Sequence, residues 1–407
     1  MVKRSITLAL IALFVLAAQT DTIKRKRAQL REGPGAWFQV IAELNEGASL
    51  EILEATEDGW LKVKTGNLDG YVSQRVVEGV APTQDIFAQM GQQAAMTEVA
   101  QSGVSAAVKG FAEKFAKRLK GDSVFLTELY QYNLNAREFN TFKNTTYQEV
   151  NLRKIQRKIK LPKLKKAPQF SFSEEGMGQA IAAKIASQGL YRNKRVQDYV
   201  NDVGQLVVAA SDAYDVSFKF FILDLETVNA YACPGGIIFV TRGALERMES
   251  EAELACFLGH EIAHVTKKHG MKEIEERKEM ITADNVFMDM DATADPGIAA
   301  VSQDLDDMAL ESYETIFSGR LKGYETEADQ MGLRYAARAA YNPHAVLGFL
   351  DRLNKGPELS NNEHYTKSEN LIRVGKIKSF LNDEKWPSKE FLSDNASRFL
   401  GFRKLIR

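Results

Sequence analysis

The stretch "SEAELACFLGHEIAHVTKKHG" at residues 250–270 constrains this chain more than any other. Ser250 followed by Glu253 forms a capping box, and Leu254, Phe257, Leu258, Ile262 and Val265 recur at helical spacing. One helix is therefore expected to begin at Ser250 and to carry the histidines. On it His260 and His264 lie four residues apart, roughly 40° from alignment on one face. Two imidazoles so placed can grip one tetrahedral metal, and Glu261 can reach a water on the metal's open position. His269 is five residues beyond His264, roughly 140° further round the same helix. The spacing predicts that it points away, to a structural contact.

Two ligands do not complete such a site, and the third is expected from elsewhere, most often His or Glu. The segment "GYETEADQMGLRYAARAAYNP" at 323–343 supplies candidates. Glu325 and Asp329 share a helix face, whereas Glu327 is turned roughly 160–200° away. Glu325 is read as the third ligand, with Asp329 behind it holding a ligand imidazole. Zn2+, one per chain, is the expected metal.

The rest of the 407 residues divides by pattern. Residues 1–18 combine Lys3 and Arg4 with an apolar run from Ile6 to Ala18, the layout of a signal peptide. That run is short for a membrane span, so an exported, periplasmic protein is expected rather than an anchored one. Residues 28–78 hold the turn cluster "LREGPG" and the short alternating segments "QVIAEL", "SLEILEA", "WLKVKT" and "DGYVS", which predict a small β-barrel of four or five strands. Residues 82–150 read as two or three helices without site chemistry. Residues 151–169 include "LRKIQRKIKLPKLKKAP" and read as a basic linker, with contact to an anionic membrane surface as the sharper alternative. Residues 170–385 alternate helices with the strand-like runs "VSFKFFILD" and "NAYACPGGIIFVT", an α+β pattern, and 386–407 form a C-terminal tail. A net charge of −1 gives no reason to expect nucleic acid as a partner. With Cys233 and Cys256 alone, a disulfide framework is excluded, and two reduced, buried thiols are favoured over one disulfide.

The segments "NAYACPGG", "HEIAH" and "ETEAD", in that order, resemble the gluzincin metallopeptidases that include CAAX prenyl proteases, HtpX-like proteases and soluble periplasmic BepA-like and LoiP-like proteins. The resemblance covers roughly residues 172–375 and implies a mostly helical zincin-type fold. It implies zinc held by His260, His264 and Glu325, with Glu261 as the general base. It also implies an edge strand opening at Asn229, Ala230 and Tyr231 that binds an extended polypeptide substrate, with Pro234-Gly235-Gly236 as the turn behind it. "REGPG", "DGWLKV" and "DGYVS" resemble the bacterial SH3 domain, which implies possible binding of cell-wall peptides. For the oxyanion, His344, His364, Tyr341 and Arg320 are candidates. His364 is the preferred one, as oxyanion donor or as a plug on the fourth metal position, although Asn370 stands where the family carries an Arg.

The leading expectation is a zinc metalloendopeptidase of the cell envelope, acting on misfolded or damaged proteins. A peptidoglycan-directed endopeptidase and a latent, chaperone-like envelope protein are the alternatives. The acidic, Met-rich stretch 271–322 lacks the Gly and terminal Glu of a twelve-residue calcium loop. A helical hairpin, or a flap over the cleft, is expected there instead.

Overall fold

Both faces of a three-stranded sheet are buried, and that sheet organises the larger part of the chain. In the computed structural model the described residues are 19–77 (less Lys26 and Glu57), 100–162, 172–275, 323–356, 367–387 and 392–406, with 310, 313, 314 and 316. The expected signal peptide and residues 276–309 lie outside them. Contacts divide the chain into two units, one of residues 1–34 and 40–80, the other of 35–39 and 81–407. No helix among the described residues is long and apolar enough to cross a membrane.

The smaller unit is an antiparallel sheet of six strands: β1 (Gln19–Thr22), β2 (Arg27–Arg31), β3 (Val40–Asn45), β4 (Ser49–Ala55), β5 (Trp60–Thr65) and β6 (Leu68–Ser73), in the order β1-β4-β5-β6-β2-β3. The sequence pattern shows only the last four. β1 and β2 escape it because they lie in charged segments, yet Ile23, Ala28 and Leu30 are buried with Leu50, Val63 and Val72 in one core. Residues N-terminal to 28 therefore belong to this sheet. Between β5 and β6 the chain reverses at Gly66, whose φ of +56° is costly for a side-chain-bearing residue.

In the larger unit, helices α1 (Ala100–Arg118), α2 (Ser123–Gln131), α3 (Ala136–Thr146), α4 (Leu152–Lys158), α5 (Phe172–Ala186) and α6 (Lys194–Ala209) precede strand β7 (Lys219–Leu223). The hairpin β8 (Ala230–Cys233) and β9 (Ile237–Thr241) follows, then α7 (Arg242–Arg247), α8 (Glu251–Thr266) and α9 (His269–Glu275). The described helices beyond are α10 (Glu325–Arg338), α11 (Ala345–Lys355), α12 (Lys367–Asp383) and α13 (Ala396–Arg403). Strand order is β7-β9-β8, with β7 parallel and β8 antiparallel to β9. Side chains alternate along each strand. Phe220, Ile222, Ile238 and Val240 join α6 and α8 in one core. Phe221, Leu223, Ile237 and Phe239 join α1, α2 and α5 in a second.

The helices at 100–146 pack on the sheet, α1 and α2 covering its second face and α3 contributing Phe139 to the first core. Two sequence expectations change here. The basic run is not a linker in its described part, 152–162. Ile155 and Ile159, four residues apart, make one apolar face of α4 and are buried against Ala337 and Ala340. Arg338 donates to the carbonyls of Gln156 and Ile159 at 3.0 and 2.8 Å, satisfying the end of that helix. The basic side chains of α4 occupy only its solvated face. The C-terminal segment is likewise integral, since Phe399, Phe402 and Ile406 are buried in the core around α8.

Candidate metal centre

Ser250 caps α8 by accepting the Glu253 amide at 3.2 Å. The Glu253 carboxylate reaches one residue further back than a capping box requires, to the Glu249 amide at 2.9 Å. All residues of α8 except Phe257 are buried, so its histidines leave the helix inside protein. α10 crosses α8 with the two backbones in contact. A Cβ on Gly259 would stand 2.6 Å from the Gly332 carbonyl oxygen, and one on Gly332 only 2.5 Å from the His260 nitrogen. Only glycine at both positions permits this approach, and it carries the acidic turn of α10 up to the histidines.

The result is a tight group of donors. His260 Nε2, His264 Nε2 and a Glu325 oxygen all lie within 4.8 Å of one another. The two imidazole nitrogens are 3.0 Å apart, and each is 3.3 Å from a Glu325 oxygen. Ligands about 2.1 Å from a tetrahedral zinc stand ~3.4 Å from one another, so this spacing fits one such ion. Glu325 Oε2 is buried and meets no full hydrogen-bond donor among the described residues, with His260 Nε2 at 3.3 Å and Arg373 Nη1 at 3.6 Å beside it, so it keeps acceptor capacity for a metal cation. The donor set of two imidazoles and a carboxylate suits zinc.

The carboxylates around the imidazoles favour positive charge at this place. Burial and the nearby Arg373 oppose charge on His260, but the Glu325 and Asp329 carboxylates outweigh them and raise it to about 10. Burial likewise opposes ionisation of Glu325, and the two imidazoles hold it well below the usual carboxylate range. Glu261 moves the other way: burial raises it, and the adjacent imidazoles offset that only in part. A carboxylate so raised suits a group that must accept a proton and then release it.

His260 Nδ1 lies 2.9 Å from Asp329 Oδ1, and Arg373 of α12 donates to both oxygens of Asp329 at 2.6 and 2.9 Å. Burial disfavours the Asp329 anion, yet Arg373 and His260 keep it below its ordinary range. Sequence reasoning missed Arg373, which stands three residues, or about one turn, beyond Asn370. Asn370 itself is buried and donates to the Leu350 carbonyl at 3.3 Å.

His269 also departs from expectation. α8 ends at Thr266, and Lys268 adopts a left-handed φ of +56°, the usual way to terminate a helix. The chain turns back, and fully buried His269 meets His264, Nδ1 to Nδ1, at 3.0 Å. The angle of roughly 140° does not apply, because the helix does not continue to His269.

Residues 192–386 match peptidase family M48. These residues form an M48 peptidase domain. Residues 26–78 match the bacterial SH3 domain. The beta-barrel assembly-enhancing proteases of Yersinia pestis and Escherichia coli are 28% and 25% identical over 187 residues, which is 44% of this chain and 37% of each relative. A mitochondrial metalloendopeptidase of Schizosaccharomyces pombe is 29% identical over 160 residues, 38% of this chain and 43% of that protein. The chain thus spans less than half the length of these relatives.

Within the M48 domain, Ala230 and Tyr231 lie in β8, which is at the edge of the sheet and packs against α8. Asn229 precedes the strand, accepts the Ala230 amide at 2.9 Å and donates to the Tyr231 hydroxyl at 3.1 Å. Gly235 and Gly236, with φ of +82° and +99°, make the turn into β9. Tyr341 is fully buried and donates to Glu251 at 2.8 Å, so it is committed to the fold. His344 stands at the start of α11 beside Trp386. His364 and Arg320 lie outside the described residues. Cys233 and Cys256 are buried free thiols in different cores.

Proposed function

We propose that this chain is a zinc-dependent metalloendopeptidase that hydrolyses peptide bonds of cell-envelope proteins. The observation that carries the proposal is the convergence of His260, His264 and Glu325 within 4.8 Å, beside the raised carboxyl of Glu261. Zn2+ held by these three ligands supplies Lewis acidity to the scissile carbonyl and to the attacking water. Glu261 takes the proton of that water and returns it to the leaving amine. Asp329, gripped by Arg373, holds His260 with its Nδ1–H turned away from the metal position. The substrate backbone pairs with the edge of β8 from Asn229 through Tyr231, and His364 serves as oxyanion donor or as a plug.

The relatives' name, beta-barrel assembly-enhancing protease, supports envelope proteins as substrates, with misfolded or damaged ones proposed as the class. The leader pattern at residues 1–18 supports an exported, periplasmic location. The SH3 unit offers a site for cell-wall peptides. The exposed Arg153, Lys154, Arg157 and Lys158 of α4 present a basic face to an anionic membrane surface. The test is casein cleavage by the purified protein, with zinc content measured on the same sample. One zinc per chain and cleavage lost on chelation and in Glu261→Gln are expected. Cleavage that survives both treatments overturns the reading.

A further inference from the structure

The buried His269 and the half-exposed Glu327 have no part in the chemistry above. We infer that they form a relay, from Glu327 through His269 to His264, which sets the tautomer of His264 and so turns its Nε2 lone pair toward the metal. This rests on the reading of His264 as a metal ligand.

Glu327 Oε2 lies 3.2 Å from His269 Nε2. An ionised carboxylate can only accept a hydrogen bond, so His269 Nε2 carries the proton. A neutral imidazole then has a bare Nδ1, which can only accept. His269 Nδ1 lies 3.0 Å from His264 Nδ1, so His264 must donate there. The proton of His264 is thereby fixed on Nδ1, and its Nε2 is left as a lone pair. That nitrogen is the one 3.0 Å from His260 Nε2 and 3.3 Å from Glu325. Each protonation state follows from the one before it.

The relay is held in place by its surroundings. His269 is wholly buried, and its ring stacks on Tyr324 at 4.4 Å between centroids with the planes 13° apart. Tyr324 is the N-cap of α10, so the helix that supplies Glu325 also supplies Glu327 and the stacking ring. The left-handed Lys268 that turns the chain is tied to α5 by its ammonium, 2.7 Å from Glu174. The two imidazoles of the centre are thus oriented by different devices, His260 by Asp329 with Arg373 and His264 by a second imidazole with a carboxylate behind it. His269 and Glu327 are positioning residues.

Zn2+ affinity, measured by chelator competition on the full chain, separates this role from simple packing. His269→Phe keeps the ring on Tyr324 but removes the acceptor, and should weaken zinc binding by about 10–100-fold with its melting temperature little changed. His269→Asn places an amide oxygen where Nδ1 was and should recover most of that loss. A packing role predicts the opposite order, Phe tolerated and Asn not, and that result overturns the relay. Glu327→Ala changes a partly exposed side chain and leaves the core intact. It should cost a few-fold in affinity, and wild-type affinity there overturns the outer link. His264→Ala is the control on the underlying reading. If it abolishes binding while His269→Phe binds as tightly as wild type, only the relay falls. If it binds zinc like wild type, the metal site falls with it.

Discussion

The two ends of helix α8 each meet a carboxylate that has been taken out of water, and they treat it differently. At the first turn Glu251 is fully buried, and its oxygens accept from the Tyr341 hydroxyl at 2.8 Å, Asn395 at 3.1 Å, the Tyr199 hydroxyl and the Arg398 guanidinium. Every lone pair there has a protein donor, and the donors come from α6, α13 and the chain before α11, so the carboxylate ties distant elements to one helix. Some nine residues on, Glu325 faces His260 and His264 from α10, and its Oε2 has only longer contacts among the described residues, to His260 Nε2 at 3.3 Å and Arg373 Nη1 at 3.6 Å. The first end is closed and contributes to stability. The second is left open toward a position between three donors, and the difference in hydrogen-bond satisfaction is what marks it as the site.

Mutations can test that division, beginning with the largest expected effect. Glu261→Gln keeps the shape of the open end but removes the proton acceptor, and should lower kcat/KM by about 10³-fold without moving the melting temperature. Activity near wild type in that variant would show that the open end is not used as a base. Glu251→Ala should do the reverse, costing about 3 kcal/mol of stability because Arg398 and two buried hydroxyls lose their acceptor. Denaturant unfolding measures this, and zinc affinity per folded molecule should stay unchanged. Gly332→Ala probes the joint between the helices. Its Cβ would meet the His260 backbone at 2.5 Å, and forcing α8 and α10 apart should cost about 1–3 kcal/mol and weaken zinc binding as well. A variant with only the stability loss would show that the ligands tolerate the shift.

The smallest effect concerns pH at the closed end. Burial, followed by the charges of Asp198, Glu138 and Glu251, raises Asp202 to about 7. Between the ordinary carboxylate range and pH 7 the folded chain keeps a proton that the unfolded chain has released. Stability therefore falls as pH rises through this window. Asp202→Asn should flatten that slope in thermal melts from pH 4 to pH 8. An unaltered slope would place the proton elsewhere.

Some of this was legible because it is local. The histidine pair and the cap at Ser250 depend on spacing within one helix, which periodicity reads directly. Ile155 and Ile159 also carried a local signal, but eight basic residues in the same run hid a two-residue apolar face. Arg373 was hidden because its partner Asp329 is 44 positions away, and a helical turn of offset was enough to make Asn370 look like its replacement. His269 was misread for a physical reason: the angle between two helix residues means nothing once a left-handed residue stands between them.

What the sequence by itself determined is therefore the set of donors on one helix, along with the acidic turn able to complete it and the alternation that builds two β regions. What only the tertiary structure decided is which donors meet. Two glycines let α8 and α10 touch backbone to backbone, Lys268 folds His269 back onto His264, and α12 brings Arg373 to Asp329. Each of these is a contact between segments whose closeness depends on packing, and no periodicity along one segment can encode it.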